Sequence, residues 1–232
     1  NEFLEFIKAA NKPIIAVMIA GRPYEITNAE GISDAFLTAW YPGQQGADAI
    51  IDILLGKINP SGKLSVSIPY SSGCLPCYYN RIGDDTPDVS NSCTSNTYTD
   101  CPQRILHPFG YGLSYSSFDY KSIEVKKIED NRFKIFVQLK NTSDISGAET
   151  VQLYIRGYAG SVRRRGKELK GFKKVWFEPY ETKTVEFDLG FDELKVYSSR
   201  NRYEVEKGKV QILVGSNPYL PLSIFIETEC SY

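Results

Sequence analysis

The sequence has almost no net charge and no long apolar run. Its 27 basic and 28 acidic residues leave a formal charge of −1, so no excess of one sign favours binding to nucleic acid or to an anionic membrane. No stretch approaches the roughly 20 consecutive apolar residues that a membrane-spanning helix needs. We therefore expect neither nucleic acid nor a membrane among the partners of this chain.

An initiating methionine and a signal-peptide pattern are both missing, and the sequence begins at Asn1 within an amphipathic stretch. The simplest interpretation is that the 232 residues were cut from a longer protein. A chain of this length can hold two domains, and its 42% hydrophobic content is typical of a folded globular protein.

Histidine is also scarce, since His107 is the only one in the chain. A histidine can act as a general acid or base near neutral pH, but the residues around His107 show no pattern of an acid/base partner. We therefore expect a packed or surface histidine and not a catalytic one.

The stretch from residue 35 to residue 56 combines a strand signal with a helix signal. The apolar run at residues 35–40 is too short for a helix and suits a buried strand. Apolar residues recur at helical spacing over residues 45–55, and Gly56 fits the end of that helix. Gly43 and Gly46 fit a tight strand-to-helix turn. They match neither glycine-rich nucleotide motif, so we expect no nucleotide and no cofactor.

A turn and a further strand are predicted after this helix. Asn59-Pro60-Ser61-Gly62 has the composition of a turn. Leu64, Val66 and Ile68 then alternate with polar residues, which predicts a half-buried strand that ends at Pro69.

The N-terminal residues carry similar signals. Residues 1–10 place apolar side chains on one helical face, and residues 13–20 form a continuous apolar run that suits a strand covered on both faces. A Gly-Arg-Pro turn follows at residues 21–23, and a short helix or turn is expected at residues 30–34. Ligands gather at the carboxyl ends of strands in open α/β sheets, so Arg22 either contacts a ligand or pairs with a neighbouring carboxylate.

The first third of the chain therefore predicts about three strands that alternate with helices, as in the later part of a doubly wound α/β sheet. The earlier strands of such a sheet are missing from the sequence. We expect their absence to leave a sheet edge and apolar helix faces uncovered.

Four of the five cysteines crowd one polar stretch, and they are Cys74, Cys77, Cys93 and Cys101. The pattern fits two disulfides of a secreted protein, free thiols, or a zinc site. Disulfides among these four are the expectation for this loop, which would gain most from covalent links. Cys230 is then the odd cysteine.

The residue pattern in the second half of the chain predicts β-strands. Apolar and polar residues alternate in short segments separated by turns, and about seven strands at this spacing predict an all-β sandwich. The segments are residues 120–128, 133–139, 151–155, 169–177, 185–189, 203–205, 210–214 and 222–226. Asn141 begins an Asn-Thr-Ser sequence that accepts an N-linked glycan only on a secretory route.

Four motifs occur in order and span nearly the whole chain. They are Ile19-Ala20-Gly21-Arg22-Pro23, the stretch WYPGQQGADAIIDILLGKINPSGKL at residues 40–64, PFGYGLSYSSF at residues 108–118, and Glu168-Leu169-Lys170-Gly171-Phe172. Together they are specific, and they resemble glycoside hydrolase family 3, the β-glucosidases and β-xylosidases. The resemblance implies the end of the α/β sandwich domain followed by a fibronectin type III-like, immunoglobulin-like β-sandwich.

The resemblance also implies the boundaries and partners of the chain. We expect residues 1–69 to be the C-terminal portion of the α/β sandwich domain, residues 70–115 a cysteine-rich linker, and residues 116–232 the fibronectin type III-like domain. The expected partners are the missing N-terminal barrel and sandwich portions of the same protein and a glycoside or oligosaccharide substrate. An extracellular, periplasmic or secretory location is favoured by the cysteine-rich loop. Tyr78 and Tyr79 in that linker either stack on a sugar or pack within the protein.

The resemblance implies an enzyme that hydrolyses terminal β-D-glucosidic or β-D-xylosidic bonds with retention of configuration. Such hydrolysis requires a nucleophilic carboxylate and an acid/base carboxylate about 5 Å apart. The resemblance places the nucleophile Asp in an N-terminal β/α barrel and the acid/base Glu upstream of Asn1. The acids of the first part match neither motif, and they are Glu2, Glu5, Glu25, Glu30, Asp34, Asp48 and Asp52. We therefore assign no catalytic, substrate-binding or metal-binding residue and expect the chain alone to be inactive. The alternative is a stand-alone carbohydrate-binding or adhesive module without catalysis, which an exposed aromatic row on a sheet face would favour.

Overall fold

The computed structural model of the chain describes residues 2–9, 11–80, 105–158, 160–219 and 222–231. These residues form two compact units. Of the described residues, the first unit holds those up to Ile58 together with 65–77 and 105–108, and the second holds 59–64, 78–80 and 109 onward. No helix in the described ranges is long and apolar enough to cross a membrane. The domain boundaries at residues 69 and 115 stay predictions.

The first unit contains short helices and short strands. Its elements are α1 (Glu2–Lys8), β1 (Ile15–Met18), α2 (Thr27–Ile32), β2 (Ala35–Thr38), α3 (Gly46–Leu54), β3 (Ile68–Pro69), a 3₁₀ turn (Ser72–Cys74) and β4 (Ile105–His107). β1 and β2 pair in parallel, in a register that sets Ile15 opposite Ala35. The α/β character expected of this part is therefore confirmed.

One face of the β1–β2 pair is open. Ile15, Val17 and Ile19 alternate along the chain and are all exposed, whereas the residues between them are half-buried. The prediction that this strand is covered on both faces is therefore wrong for the described part of the chain.

The helix over residues 45–55 is confirmed as α3. Its end is defined by Gly56, whose φ of +71° is a left-handed conformation that glycine adopts without a steric penalty. The amides of Leu55 and Gly56 donate to the carbonyls of Ile51 and Ile53, both at 2.9 Å. These bonds satisfy carbonyl groups that the end of a helix otherwise leaves without partners.

The predicted strand over residues 63–69 is wrong for most of its length. Only Ile68 and Pro69 form a ladder, and their partner is the antiparallel strand β4 and not β1 or β2. The amide of Leu64 instead donates to the carbonyl of Tyr111 at 2.8 Å, and the amide of Gly110 donates to the carbonyl of Leu64 at 2.7 Å. Within this pattern, residues up to Leu64 belong to the second unit, and the chain re-enters the first unit at Ser65.

The second unit is an antiparallel β-sandwich, as predicted. Its elements are β5 (Phe118–Glu129), β6 (Arg132–Asn141), β7 (Gly147–Gly157), β8 (Glu168–Phe177), β9 (Thr182–Leu189), α4 (Phe191–Leu194), β10 (Val196–Tyr197), β11 (Tyr203–Glu204), β12 (Gly208–Gly215) and β13 (Leu222–Thr228). One sheet has the strand order β13-β12-β7-β8 and the other the order β5-β6-β9. The short helix α4 and strand β10 were not predicted.

Period-two alternation builds the core of the sandwich. The residues of β6 alternate strictly between buried and less buried positions, so its apolar side chains point into the core. The buried core includes Ile135, Val137, Leu139, Val151, Leu153, Phe187, Leu189, Ile212 and Val214.

Asn141 closes the turn between β6 and β7. Its side chain is fully buried, and its amide nitrogen donates to the carbonyls of Ile145 at 2.8 Å and Glu178 at 3.1 Å. Its side-chain oxygen accepts hydrogen bonds from the amide and hydroxyl of Ser143. The side-chain amide of Asn141 is therefore buried and hydrogen-bonded, so it is not accessible to a glycan in the folded state.

Residues before β5 cover part of the outer face of the four-stranded sheet. The Tyr79 ring stacks on Phe109 with centroids 4.2 Å apart and meets the buried Tyr154 edge-on at 6.0 Å. The side-chain Nε2 of Gln152 donates to the carbonyl of Gly110 at 3.1 Å and to the carbonyl of Ser216 at 2.6 Å. Tyr79 therefore packs within the protein, which was one of its two interpretations.

We predict that Gly110→Ala lowers the free energy of unfolding by about 2 kcal/mol or more, because the residue has a φ of +80° and an added Cβ would overlap the buried amide of Gln152. The control is Gly62→Ala, where an added Cβ meets nothing within 4 Å and the expected change is within about 0.5 kcal/mol. Urea unfolding of both variants makes the comparison. Equal losses would contradict the close approach described for Gly110.

Candidate functional site

The carboxyl ends of β1 and β2 lie at one edge of their sheet, because the two strands are parallel. Arg22 follows β1 and Trp40 follows β2, which is the location where open α/β sheets bind ligands. Trp40 has a φ of +49°, an uncommon left-handed conformation for a large side chain. Tyr41 is 82% exposed and lies against Gly21, where any Cβ would overlap the tyrosine ring. An aromatic residue and a cation are therefore displayed at this edge.

A carboxylate partner was one of the two interpretations of Arg22, and none is found for it among the described residues. Within the described ranges its guanidinium enters no ion pair, and it lies 5.1 Å from the centroid of the Tyr24 ring. Both side chains are exposed. A cation that is stacked on an aromatic ring but not neutralised can donate hydrogen bonds to a polar ligand.

The carboxylates near this sheet are engaged in local contacts. Asp34 accepts a hydrogen bond from the amide of Ile14, and Glu25 accepts one from the amide of Ser72, both at 2.8 Å. Asp52 pairs with Lys57 at 3.0 Å, one turn beyond it on an exposed surface. These acids hold turns and helix ends in place.

His107 is half-buried in β4, and its partner is Glu30 in α2. Nε2 of the histidine lies 2.8 Å and 2.9 Å from the two carboxylate oxygens of Glu30. The sequence predicted either a packed or a surface histidine, and His107 is packed; its glutamate partner was missed. The two residues are 77 positions apart, so no local pattern in the sequence could connect them.

Glu149 in β7 is a buried carboxylate in the second unit. Its side chain is 3% exposed, and its oxygens lie 3.3 Å from the ammonium of Lys63, which also donates to the carbonyl of Gly112 at 2.8 Å. The Tyr120 hydroxyl donates to the same carboxylate at 3.4 Å. Burial raises the pKa of the Glu149 carboxyl, and Lys63 opposes that rise. Burial and the charge of Glu149 also raise the pKa of the Tyr120 hydroxyl.

Asn59, four residues before Lys63, is held by the same unit. Its amide nitrogen donates to the hydroxyl of Ser116 at 2.7 Å and to the carbonyl of Ser146 at 2.9 Å. Its side-chain oxygen accepts from the hydroxyl of Ser114 at 2.8 Å and from the amide of Tyr115 at 2.9 Å. The side chain thus uses both of its donors and both of its acceptor positions. We call residues 59–64 the anchored loop.

Of the four cysteines in the cysteine-rich loop, the structure describes Cys74 and Cys77. Cys74 is buried, with its sulfur 3.3 Å from the hydroxyl of Ser71, and the Cys77 thiol donates weakly to the carbonyl of Ser67 at 3.9 Å. Cys93 and Cys101 lie outside the described residues, so disulfides among the four cysteines stay a prediction. The described residues contain no cluster of three or more His, Cys, Asp or Glu suited to a metal, but the zinc alternative also needs the undescribed pair.

Two family models match the chain. Residues 1–115 match the glycosyl hydrolase family 3 C-terminal domain, and residues 149–217 match a fibronectin type III-like domain. A periplasmic β-glucosidase of Salmonella typhimurium is 35% identical over 93% of the chain, and a β-xylosidase of Formosa agariphila is 36% identical over 94%. The crystal structure of a Listeria innocua β-glucosidase with isofagomine superposes with a TM-score of 0.91 at 33% identity over 98% of the chain.

The chain spans less than a third of each of these proteins. It covers 29% of the Salmonella protein, 30% of the Formosa protein and 32% of the Listeria chain.

We predict that Lys63→Met lowers the free energy of unfolding by about 3–5 kcal/mol at pH 7, because it leaves the Glu149 carboxylate buried without a cation. A carboxyl with a raised folded-state pKa contributes stability that is present below its unfolded value of 4.5 and lost as pH rises through the folded value. Removing Lys63 raises the pKa of Glu149 further, so the deficit should be larger at pH 7 than at pH 4.

Urea unfolding at both pH values measures this effect. The control is Lys207→Met, which removes an exposed pair with Glu229 at 2.9 Å and should cost less than about 1 kcal/mol at either pH. A Lys63→Met deficit that is equal at the two pH values would contradict the buried pair.

Proposed function

The chain belongs to glycoside hydrolase family 3, and we propose that it is the C-terminal, supporting portion of a retaining enzyme that hydrolyses terminal β-D-glucosidic or β-D-xylosidic bonds. The names of its relatives support both sugars, since one is a β-glucosidase and another a β-xylosidase. The Listeria β-glucosidase has been crystallised with glucose, which further supports the glucosidase assignment.

The proposed supporting role rests on one observation: acidic side chains of the first unit are hydrogen-bonded within the protein. A retaining glycosidase needs two carboxylates about 5 Å apart that face the scissile bond. Glu25 and Asp34 instead bind backbone amides, and Glu30 binds His107. These contacts support our proposal that the nucleophile Asp and the acid/base Glu belong to portions of the protein outside this chain.

The partner of the first unit is proposed to be the rest of the same protein, namely its barrel and the earlier part of its sandwich. Ile15, Val17 and Ile19 expose one apolar face of the β1–β2 sheet, and Phe3 and Phe6 in α1 are more than 70% exposed. Contiguous apolar patches of this kind mark contact surfaces. The chain covers 29% and 30% of the length of two relatives, so most of each of those proteins lies outside the matched part.

A second candidate function is binding of a carbohydrate without catalysis. Trp176 is 52% exposed and Phe172 is 65% exposed, and both lie on the outer face of the edge strand β8. The indole nitrogen of Trp176 donates to Glu178 at 3.0 Å, which holds the ring in one orientation. Two exposed aromatic rings on one sheet face offer the flat apolar surface on which a sugar ring stacks.

We propose a secreted or periplasmic location. The support comes from the Salmonella relative, which is named as periplasmic. The cysteine-rich loop adds no support, since Cys93 and Cys101 lie outside the described residues.

We predict that the purified 232-residue chain does not hydrolyse an aryl β-glucoside or an aryl β-xyloside above the buffer rate, because removal of catalytic groups costs many orders of magnitude. Release of the aryl group, measured by absorbance, is the assay, and the longer protein that includes this chain is the positive control. Turnover by the chain that Glu25→Gln, Glu30→Gln or Asp34→Asn abolishes would show that the supporting role is wrong.

The second candidate predicts that the chain is retained on insoluble β-glucan and that Trp176→Ala with Phe172→Ala abolishes the retention. Tyr197→Ala with Tyr203→Ala is the matched control, since these rings are equally exposed on a different hairpin. Equal retention of both double variants, or none by the parent chain, would exclude the β8 face as a sugar-binding surface.

A further inference from the structure

The second unit contains a small polar cavity of about 270 Å³. Its lining includes Gly160 and Ser161 in the loop after β7, Arg200 in the loop between β10 and β11, and the segment from Glu204 to Lys207 that leads into β12. All of these residues belong to the second unit, so the cavity is formed by contacts within the β-sandwich alone.

Glu204 brings a buried carboxylate to this cavity. Its side chain is 2% exposed, and its Oε2 accepts a hydrogen bond from Nε of Arg202 at 2.9 Å. Nε of Arg200 lies 3.6 Å from Oε1, which is too far for a hydrogen bond, and no described residue donates one to Oε1. A buried carboxylate oxygen is stabilised by a donor, so Oε1 is a position at which a ligand donor would bind.

Arg164 supplies a buried donor beside the same cavity. It donates to Oε2 of Glu206 at 2.7 Å, and Oε1 of that glutamate accepts from the amide of Ser161 at 3.0 Å. The Nε–H of Arg164 is buried and donates to none of the residues that the structure describes. A Cβ added to Gly160 would lie 2.8 Å from this nitrogen, so the glycine leaves room beside it at the cavity lining.

An acceptor on Glu204 and a donor on Arg164 indicate which class of ligand fits the cavity. A hydroxyl group can both donate and accept, whereas an ammonium group only donates and a carboxylate only accepts. The charged side chains that line the cavity are two basic and two acidic, Arg200 and Lys207 against Glu204 and Glu206, so no net charge favours an ion. Pockets for drug-sized ligands have volumes of about 300–1,000 Å³, and this cavity suits a smaller molecule.

We propose that this cavity binds a small neutral ligand with neighbouring hydroxyl groups, a monosaccharide or a polyol. One hydroxyl donates to Oε1 of Glu204, and another accepts from Nε of Arg164. Glu206 is a positioning residue, because its hydrogen bonds hold Arg164 and the amide of Ser161. The inference does not rest on the proposed function, and its test measures no hydrolysis, so either can fail without the other.

The Nε–H group of Arg164 gives a direct readout in heteronuclear NMR spectra of the isotopically labelled full chain. Its signal is identified by its absence from the spectrum of Arg164→Lys, which keeps a positive charge beside Glu206. The titrants are D-glucose, D-xylose and glycerol, with methylammonium and acetate as cationic and anionic probes.

We expect the hydroxyl compounds to shift the Arg164 Nε–H signal and the Ser161 amide signal saturably in the millimolar range, because few groups contact the ligand. Tighter binding of the two sugars than of glycerol would identify a monosaccharide site, and equal binding a general polyol site. A saturable response to methylammonium or acetate alone, or to none of the five compounds, would overturn the proposal.

Glu204→Gln should weaken the binding by roughly tenfold or more. The amide oxygen of the variant is expected to face Arg202, which places a donor where the ligand needs an acceptor. The matched control is Glu186→Gln, which removes an exposed carboxylate of β9 and should leave the affinity unchanged. Equal affinities of these two variants would contradict the role of Glu204.

If Glu204→Gln does not fold, Gly160→Ala gives a second test, since its methyl group would occupy the space beside Nε of Arg164. The same loss of binding is expected. The Trp176→Ala/Phe172→Ala double variant should bind as the parent chain does. Loss of the response in this double variant, with the response intact in Gly160→Ala, would assign the binding to β8 and overturn the proposal.

Discussion

A carboxylate inside a protein needs a cation or its equivalent, and the carboxylate of Glu149 is met by the ammonium of Lys63, 86 residues earlier in the chain. The requirement fixes where residues 59–64 lie, because Lys63 must reach the space beside β7. Asn59 and the backbone of Leu64 then complete the attachment of the loop to the sandwich. Residues 59–64 therefore pack with the β-sandwich, although the sequence analysis assigned them to the end of the α/β domain.

Much of the fold follows from residue periodicity. The strands of the sandwich were predicted because their apolar residues alternate and point to one core, as in β6. The same pattern failed at Leu64 and Val66, because alternation marks an extended backbone and does not reveal which segment pairs with it. The partner at residues 110–111 lies more than 40 positions away.

The candidate site was less predictable than the fold. Gly21 and Arg22 could be placed at the carboxyl end of a strand from the sequence, whereas Trp40 was predicted within a buried strand. The contact between Tyr41 and Gly21 required the folded chain. The pair of His107 with Glu30 and that of Lys63 with Glu149 join residues far apart in sequence. The family could be identified from four motifs in order, whereas composition and charge led only to the expectation of no nucleic-acid or membrane partner.

Native-state hydrogen exchange tests most directly whether the anchored loop is part of the β-sandwich. The amides of Leu64 and Gly110 bond to carbonyls across the junction of the loop with the sandwich. The account predicts that both exchange with the same opening free energy as the core amides of β7 and β12, because they open only when the sandwich unfolds. Exchange of these two amides at rates typical of exposed loops, with the core amides still protected, would contradict it.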